Sequence, residues 1–272
     1  MASQRVAFVG GGNMARSLIG GLIARGSEPG RLSVSEPQAA LREALAREFG
    51  IRAAQDNLDA IRGADLVLLA VKPQAMRGVC EELAGHVDGA IVISIAAGIT
   101  CAQLQRWLRH AACIVRCMPN TPALLGTGAT GLYTDAAATP AQRASAQAVL
   151  GAVGLCVWIE DEACMDTVTA LSGSGPAYVF LLAEAMQDAA VALGLPAEAA
   201  RALTRQTLLG AARMLNEGEE DAPSLRQRVT SPGGTTQAAL ESFAADGFRD
   251  SVARALAAAE RRGVELSRQL ER

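Results

Sequence analysis

Two loops in the second half of the chain are dense in glycine and hydroxyl groups. One reads Ser-Gly-Ser-Gly-Pro-Ala-Tyr over residues 172–178, and the other reads Thr-Ser-Pro-Gly-Gly-Thr-Thr over residues 230–236. Glycine lets the backbone approach a ligand closely, and backbone N–H groups with short hydroxyls bind small polar molecules. The loops therefore predict a site for a small polar substrate, with candidate residues Ser174, Gly175, Pro176, Ser231, Gly233, Gly234, Thr235 and Thr236.

The loop at 230–236 runs directly into a predicted helix that begins at Thr235. The N-terminus of a helix favours an anion because its first N–H groups have no partner within the helix. We therefore expect a substrate carboxylate to bind there, and the Thr236 hydroxyl could form a hydrogen bond to a ring nitrogen of the same substrate.

The loop at 172–178 interrupts an apolar helical pattern. Glycine inside a helix costs roughly 1 kcal/mol and proline about 3 kcal/mol, so two glycines and a proline favour a functional role over a simple packing break. A third loop, residues 118–123, contains two prolines, and Asn120 is its predicted polar contact to substrate; the alternative is a rigid exit from a strand.

A glycine motif opens the chain directly after a short apolar strand. It has the form G-x-G-x-x-A at Gly10, Gly12 and Ala15, and a helical pattern follows it. Such a loop turns tightly, lets the backbone approach a pyrophosphate and presents the helix N-terminus to it. The motif predicts a dinucleotide site that includes Gly10, Gly11, Gly12, Asn13 and Met14.

Recognition of the cofactor ribose is predicted at the end of the second strand, at Ser35, Glu36 and Pro37. An acidic residue there bonds the ribose hydroxyls of NAD and repels the 2′-phosphate of NADP. Alternatively, Ser35 donates to that phosphate with Arg42 adding charge, or Glu36 is only a solvated loop residue.

Two further strand ends face the same predicted crevice, because ligands of parallel sheets bind at the carboxyl ends of the strands. Lys72, the one lysine of the chain, follows the apolar strand at 65–71, and small residues that leave room for a nicotinamide ring follow the next strand. The candidate cofactor contacts are Ala70, Val71, Lys72, Pro73, Ala96, Ala97 and Gly98.

The helical half contains no histidine and no lysine. Oxidation of an alcohol usually needs such a base, whereas an imine nitrogen is itself basic and an iminium already carries the proton. The residues therefore favour reduction of a C=N bond by a bound hydride donor, with the protein positioning the substrate.

The elements that must position these residues alternate between strand and helix up to residue 160. Strands are predicted at 5–9, 32–35, 65–71, 90–95, 113–118 and 128–133, with a helix at 38–49 ended by Gly50, and the pattern changes after 157–159. After residue 160 only helices are predicted, at 161–193, 196–217, 224–229, 235–245 and 248–270. This order predicts an α/β, doubly wound dinucleotide-binding domain over 1–160 and an all-α domain over 161–272.

Composition excludes several classes of partner. The 272 residues are 50% hydrophobic with a net charge of −3, and no basic stripe, long apolar run or signal peptide is present, so we expect no nucleic acid, no membrane and a cytoplasmic protein. Six cysteines without a C-x-x-C pair, and only two histidines, predict free thiols and no metal site.

Taken together, these motifs resemble the Δ1-pyrroline-5-carboxylate reductase family over essentially the whole chain. The resemblance rests on Gly10–Ala15, Ala70–Pro73, Ala96–Gly98, Met118–Pro122, Leu171–Tyr178 and Ser231–Thr236. It implies NAD(P)H-dependent reduction of L-1-pyrroline-5-carboxylate to L-proline, the last step of proline synthesis, by a Rossmann domain followed by a helical dimerisation domain.

The resemblance also implies roles for single residues. Cofactor contacts fall on Gly10–Met14, Ser35, Pro37, Asn57, Ala70–Pro73 and Ala96–Gly98. Substrate contacts fall on Ser231, Gly233, Gly234 and Thr236; Thr236 and Ser231 are the catalytic candidates, with Thr236 as the hydrogen-bond or proton donor. The family mostly uses NADPH; Glu36 departs from its pattern and argues that NADH is accepted too. A homodimer that shares the substrate site, and that can assemble into a decamer, is implied as well.

Two other functions remain open at this point. A β-hydroxyacid dehydrogenase would share both domains but requires a lysine that the helical half lacks. A cofactor-sensing binding protein would keep the first domain and lose the second-half loops, which are intact here.

Overall fold

The computed structural model describes residues 4–109 and 113–270, and His110 lies outside this part of the chain. The described chain forms two compact units. One comprises the residues up to Ser174 together with residues from Ala258 onward, and the other comprises Gly175–Ala257.

Eight strands form one sheet in the order β3-β2-β1-β4-β5-β6-β7-β8. All neighbouring strands are parallel except β6 and β7, which are antiparallel. The strands are β1 (Val6–Val9), β2 (Leu32–Ser35), β3 (Arg52–Ala54), β4 (Leu66–Leu69), β5 (Ile91–Ser94), β6 (Cys113–Met118), β7 (Gly128–Thr134) and β8 (Gly154–Trp158). The predicted α/β fold is confirmed. Two strands were not predicted: the edge strand β3, whose Arg-Ala-Ala sequence has no apolar alternation, and β8 at the opposite edge.

Seven helices belong to the chain before Ser174. They are α1 (Asn13–Ala24), α2 (Ala39–Phe49), α3 (Asn57–Ile61), α4 (Pro73–Leu83), α5 (Cys101–Trp107), α6 (Pro140–Leu150) and α7 (Met165–Val168). The predicted end of α2 at Gly50 is confirmed, with Gly50 in the left-handed conformation at φ 66°.

The central strands are apolar throughout because helices cover both faces of the sheet. Phe8, Val34 and Leu68 point to the face packed by α1, α2 and α6. Val9 and Leu69, on the alternate positions, point to the face packed by α3, α4 and α5. This double burial fixes the register of the central strands and therefore the height at which their carboxyl ends stop.

The second half is helical, as predicted, but its first helix is broken. A π-helical segment, Thr169–Gly173, follows α7, and Ser174 keeps a right-handed backbone before the next helix begins. The remaining helices are α8 (Gly175–Ala192), α9 (Ala197–Glu217), α10 (Ala222–Arg228), α11 (Thr235–Ala245) and α12 (Phe248–Leu270). None of the helices in the described ranges combines the length and the apolar character that a bilayer crossing requires.

The division between the two units falls at Ser174, later than the boundary expected near residue 160. The reason is that residues 161–174 pack onto the sheet. Val168 lies so close to Gly131 that a Cβ added at Gly131 would be 2.6 Å from Val168 Cγ1. The end of α12 also belongs to the sheet unit, where Glu260 accepts a hydrogen bond from Thr167 at 2.7 Å.

Candidate active site

The glycine loop between β1 and α1 has the geometry of an anion site. Gly10 has φ +96° and lies against the strand β4 exit, so that a Cβ would be 2.8 Å from the Ala70 carbonyl oxygen. Gly12 is the N-cap of α1, so the N-cap residue has no side chain with which to bond the first N–H groups, and the first turn holds no acidic residue. A Cβ at Gly12 would meet only open space. The loop can therefore receive a pyrophosphate on the N-terminus that begins with Asn13 and Met14.

Glu36 is buried, with 6% of its surface exposed, so its interpretation as a solvated loop residue is wrong. Its Oε2 atom accepts a hydrogen bond from the Gly11 N–H at 3.0 Å, and its Oε1 atom accepts one from the Gln38 N–H at 2.9 Å. The carboxylate thus fastens the glycine loop to the end of β2. Charge-assisted bonds of this kind are stronger than neutral ones, so Glu36 stiffens the loop, and it places negative charge at the end of β2, where the sequence predicts ribose recognition.

Ser35 and Asn57 are joined to each other. The Ser35 hydroxyl, which is buried, donates to Asn57 Oδ1 at 2.7 Å, and Asn57 Nδ2 donates to Glu82 Oε2 at 2.8 Å. The Arg42 guanidinium donates to the carbonyl oxygens of Glu36 and Pro37 at 2.8 and 3.2 Å. A phosphate contact from Ser35 would compete with its present bond, whereas Pro37 is exposed at the crevice.

The ends of β4 and β5 complete this edge of the sheet. Because β1 lies between β2 and β4, and β5 follows β4, the four strand ends that carry the predicted cofactor residues are neighbours. Lys72 is exposed and is the N-cap of α4, with Val71 before it and Pro73 after it. Ala96 donates its N–H to Ser94 Oγ at 3.3 Å, and Ala97 is partly exposed.

Gly98, a predicted cofactor contact, is covered by another part of the chain. It is buried at φ +76°, and a Cβ at this position would lie 3.3 Å from Ser267 Oγ and 3.6 Å from Leu270 Cδ1. The end of α12 thus covers Gly98. The sequence pattern could not indicate this contact because Gly98 and Ser267 lie far apart along the chain.

The break at Ser172–Pro176 is held by internal bonds. The Ser174 N–H donates to the Thr169 carbonyl at 2.8 Å, five residues back, and the Ser172 hydroxyl donates to the Val168 carbonyl at 3.0 Å. Ser174, Gly175 and Pro176 are all partly exposed. Asn120 Nδ2 donates to the Ser172 carbonyl at 3.0 Å, so this predicted substrate contact faces the protein itself.

The loop at 230–236 lies in the other unit and also ends in an uncapped helix. Gly234 is the N-cap of α11, so the N-cap residue has no side chain with which to bond the first N–H groups, and the first turn has no acidic residue. Gly233 has φ +70°, and its N–H donates to Gln237 Oε1 at 2.7 Å. Gln237 is a residue that the sequence analysis missed, although its position one turn into α11 could have indicated it.

The candidate hydroxyls of this loop surround that helix N-terminus. Ser231 is exposed and its carbonyl accepts the Gly234 N–H at 3.0 Å. Thr235 is exposed, and Thr236 is partly buried in the first turn of α11. The loop therefore combines short hydroxyls with the positive end of a helix, as a carboxylate site requires.

A buried ion-pair network anchors the segment that leads to the break at Ser172. Arg116 in β6 is buried and pairs with Glu162 at 3.2 Å and with Asp166 at 3.4 Å. Glu162 Oε1 also accepts the Cys101 N–H at 2.8 Å. Burial, together with Glu162, raises the pKa of the Cys101 thiol to about 12, so this thiol stays protonated. No pattern in the sequence indicated Arg116, because its partners lie in an element 46 and 50 residues away.

Among the described residues, no group of three or more acidic, cysteine or histidine side chains is arranged to hold a metal ion. All six cysteines lie in this part of the chain and are free.

Comparison with known proteins adds the family. Residues 162–266 match the family model described as pyrroline-5-carboxylate reductase dimerisation, and residues 5–98 match the model for NADP oxidoreductase, coenzyme F420-dependent. The pyrroline-5-carboxylate reductase of Pseudomonas aeruginosa is 52% identical over 271 residues, covering 99% of both chains. The enzyme of Escherichia coli is 38% identical over 267 residues, covering 97% of this chain and 99% of that one.

Solved structures agree over the same length. A pyrroline-5-carboxylate reductase from Coxiella burnetii superposes with a TM-score of 0.94 at 44% identity, covering 97% of this chain and 98% of that one. A pyrroline carboxylate reductase from Plasmodium falciparum with NADP bound gives a TM-score of 0.86 at 27% identity, covering 98% and 99%. The chain belongs to the pyrroline-5-carboxylate reductase family.

Proposed function

We propose that this protein reduces L-1-pyrroline-5-carboxylate to L-proline with NADPH, and that NADH is accepted as well. The observation that carries the proposal is the pair of uncapped helix N-termini, at Gly12 and at Gly234, each preceded by glycine and free of acidic residues in its first turn. One suits a pyrophosphate and the other suits the substrate carboxylate. Relatives that bear this enzyme name cover the whole chain.

In this mechanism the residues of the chain bind and orient. The glycine loop and Asn13 hold the pyrophosphate, while Ala96 and Ala97 leave space for the nicotinamide ring. When bound, the reduced nicotinamide would supply a hydride to the carbon of the protonated imine, whose ring nitrogen already carries its proton and keeps it in the product amine. Ser231, Gly233, Gly234 and Thr235 surround the carboxylate, and the Thr236 hydroxyl donates a hydrogen bond to the ring nitrogen.

The absence of histidine and lysine from residues 161–272 fits this chemistry better than oxidation of an alcohol. A protonated imine is already an electrophile, so most of the catalytic effect comes from positioning. The proposed division of labour places the cofactor on residues 1–160 and the substrate with the dimer contacts on residues 161–272.

We also propose a homodimer that can assemble further into a decamer, and a cytoplasmic location. The helical unit exposes many large apolar side chains. Their exposure supports association between copies of the chain. Six free cysteines are compatible with a reducing compartment.

The direct test mixes purified protein with L-1-pyrroline-5-carboxylate and either NADPH or NADH. Oxidation of each cofactor is monitored through the absorbance of the reduced nicotinamide, and proline is detected as the product. Oxidation with proline formation supports the function. Folded protein that oxidises neither cofactor with this substrate contradicts it.

The role of Thr236 is tested by Thr236→Ala. We expect kcat to fall by roughly 10- to 100-fold, since one hydrogen bond to the reacting group is lost, while the Kd of NADPH stays unchanged. Thr230→Ala is the matched control, because that hydroxyl donates to the Arg226 carbonyl in the preceding helix α10. Equal losses of turnover and of cofactor binding would contradict the assignment.

The role of Glu36 is tested by Glu36→Ser. Removal of the buried carboxylate should raise the ratio of kcat/KM for NADPH to that for NADH by about tenfold, because repulsion of the 2′-phosphate disappears. Glu43→Ser, on an exposed position of α2, is the control. An unchanged ratio would place Glu36 outside ribose recognition and leave it only the bond to the Gly11 N–H.

A further inference from the structure

We propose that Asn120 is a positioning residue whose side chain holds the helix break at Ser172–Ser174 in its active shape. Asn120 occupies the N-cap position of a 3₁₀ turn, Thr121–Leu125, where an asparagine side chain ordinarily caps the turn. Here it makes no capping bond. The Asn120 side-chain amide instead makes hydrogen bonds to two other segments of the chain.

The two ends of the amide join two different segments. Oδ1 accepts the Ala129 N–H, at the start of β7, at 2.9 Å. Nδ2 donates to the Ser172 carbonyl, in the π-helical segment, at 3.0 Å. An N–H can only donate and a carbonyl can only accept, so both partners fix the same orientation of the amide.

The Ser172 carbonyl needs this donor because of the sequence that follows it. In a continuing α-helix it would accept the N–H of the residue four positions later. That residue is Pro176, which has no N–H. Asn120 Nδ2 therefore replaces the donor that proline removes, and a carbonyl left without one inside the protein would be costly.

The surrounding packing leaves little freedom for the break to move in another way. A Cβ at Gly173 would be 2.6 Å from Met118 Cε, and one at Gly131 would be 2.6 Å from Val168 Cγ1. Asn120 adds a directional bond to this close packing. The consequence for catalysis rests on the proposed function: the bond sets how Ser174 and the residues after it are presented to substrate.

The test compares Asn120→Ala, Pro176→Ala, the double variant Asn120→Ala with Pro176→Ala, and the control Asn216→Ala on an exposed position of α9. Tm, the Kd of NADPH, and kcat and KM for L-1-pyrroline-5-carboxylate are measured for each. We expect Asn120→Ala to lower Tm by about 3–8 °C, because two partly buried groups, the Ser172 carbonyl and the Ala129 N–H, lose their partner. We expect kcat/KM to fall at least tenfold with an unchanged Kd for NADPH.

The double variant separates positioning from direct contact. An alanine at 176 returns an N–H to the Ser172 carbonyl, so about half of the loss in Tm should be recovered, together with part of kcat/KM. Recovery of Tm without any recovery of kcat/KM would show a direct substrate contact and overturn the proposal. A double variant no more stable than Asn120→Ala, or a wild-type Tm for Asn120→Ala, would overturn it as well.

Measurement of wild-type turnover distinguishes a failure of the proposed function from a failure of this proposal about Asn120. If the wild-type protein does not reduce the imine, the proposed function fails, whereas the Tm series still decides whether Asn120 holds the Ser172 carbonyl.

Discussion

The sheet unit and the helical unit, residues 175–257, bury their apolar residues in opposite ways. In the sheet unit large side chains such as Phe8, Leu18 and Leu68 are wholly buried between strands and helices of the same chain. In the helical unit, all of which is described, Ala200 and Thr204 are the buried residues. Its large apolar side chains are exposed, Phe180 by 66% and Leu181 by 65%.

The difference shows where each unit finds its stability. Apolar residues occupy consecutive positions at 179–183 in α8, so they point to more than one side of the helix. A single copy of the helical unit cannot cover them. Exposed apolar patches of this kind mark interfaces, and the family model for this region is named for dimerisation. The sheet unit is thus a self-sufficient core, and the helical unit needs a second copy.

The largest effect is expected from Phe180→Asp, which places a charge on the exposed apolar face of α8. The dimer should dissociate and helicity should fall, because the helical unit then loses the surface that covers it. Light scattering after size-exclusion chromatography measures the mass, and far-UV circular dichroism measures helicity.

Leu125→Asp is the matched control, since Leu125 is 84% exposed but belongs to the sheet unit. It should leave the mass unchanged. An intact dimer with Phe180→Asp, or dissociation with Leu125→Asp, would contradict the contrast between the two units.

The next effect concerns Arg116→Met in the sheet unit. Removal of one member of a buried ion pair leaves Glu162 and Asp166 without a counter-charge, so the free energy of unfolding should fall by about 3 kcal/mol. Chemical denaturation of the dimer at fixed protein concentration measures the change. A loss of stability no greater than for a surface substitution would show that water already solvates the two carboxylates.

A smaller effect is expected from pH. Burial raises the pKa of the Cys80 and Cys101 thiols from 9.0 to about 12. Above pH 9 the unfolded chain loses these protons while the folded chain keeps them. The stabilisation is therefore complete below pH 9 and is lost as pH rises toward 12, by about 1.4 kcal/mol per thiol and pH unit.

Denaturation midpoints from pH 8 to 11 measure this slope. The double substitution of Cys80 and Cys101 by Ala should flatten it, whereas Ala at the exposed Cys164 should not. An equal slope in wild type and in the double variant would show that other groups cause the alkaline loss.

The smallest effect is expected from Arg213→Met in the helical unit. Arg213 pairs with Glu217 at 2.8 Å on the surface of α9, where water and salt screen the charges. We expect no resolvable change in Tm, in contrast with Arg116→Met. A comparable loss would indicate that this pair is covered in the dimer.

Local patterns determined the elements of this protein well. The strands Leu32–Ser35 and Cys113–Met118 and the helix Thr235–Ala245 begin and end where the sequence predicts them. Hydrophobic periodicity, glycine and proline act over a few residues, so a linear reading contains them. The same reasoning indicated which loops lie at strand ends, and hence the predicted cofactor crevice.

The missed or altered assignments share one physical cause. Glu36 bonds the Gly11 N–H 25 residues away, Asn120 bonds Ser172 52 residues away, and Arg116 reaches Glu162 across 46 residues. A sequence shows that such a side chain is polar but not which distant group the fold brings within hydrogen-bond reach of it.

The sequence by itself therefore determined the alternation of strands and helices along the chain and the lack of histidine and lysine in the helical half. It also indicated the two helix N-termini that begin after glycine and are predicted to bind anions. Only the tertiary structure decided that Glu36 fastens the glycine loop, that Asn120 holds the helix break, and that the helical unit is left without a core of its own. Periodicity and turn residues act locally, whereas hydrogen-bond partners and burial depend on which distant segments the fold brings together.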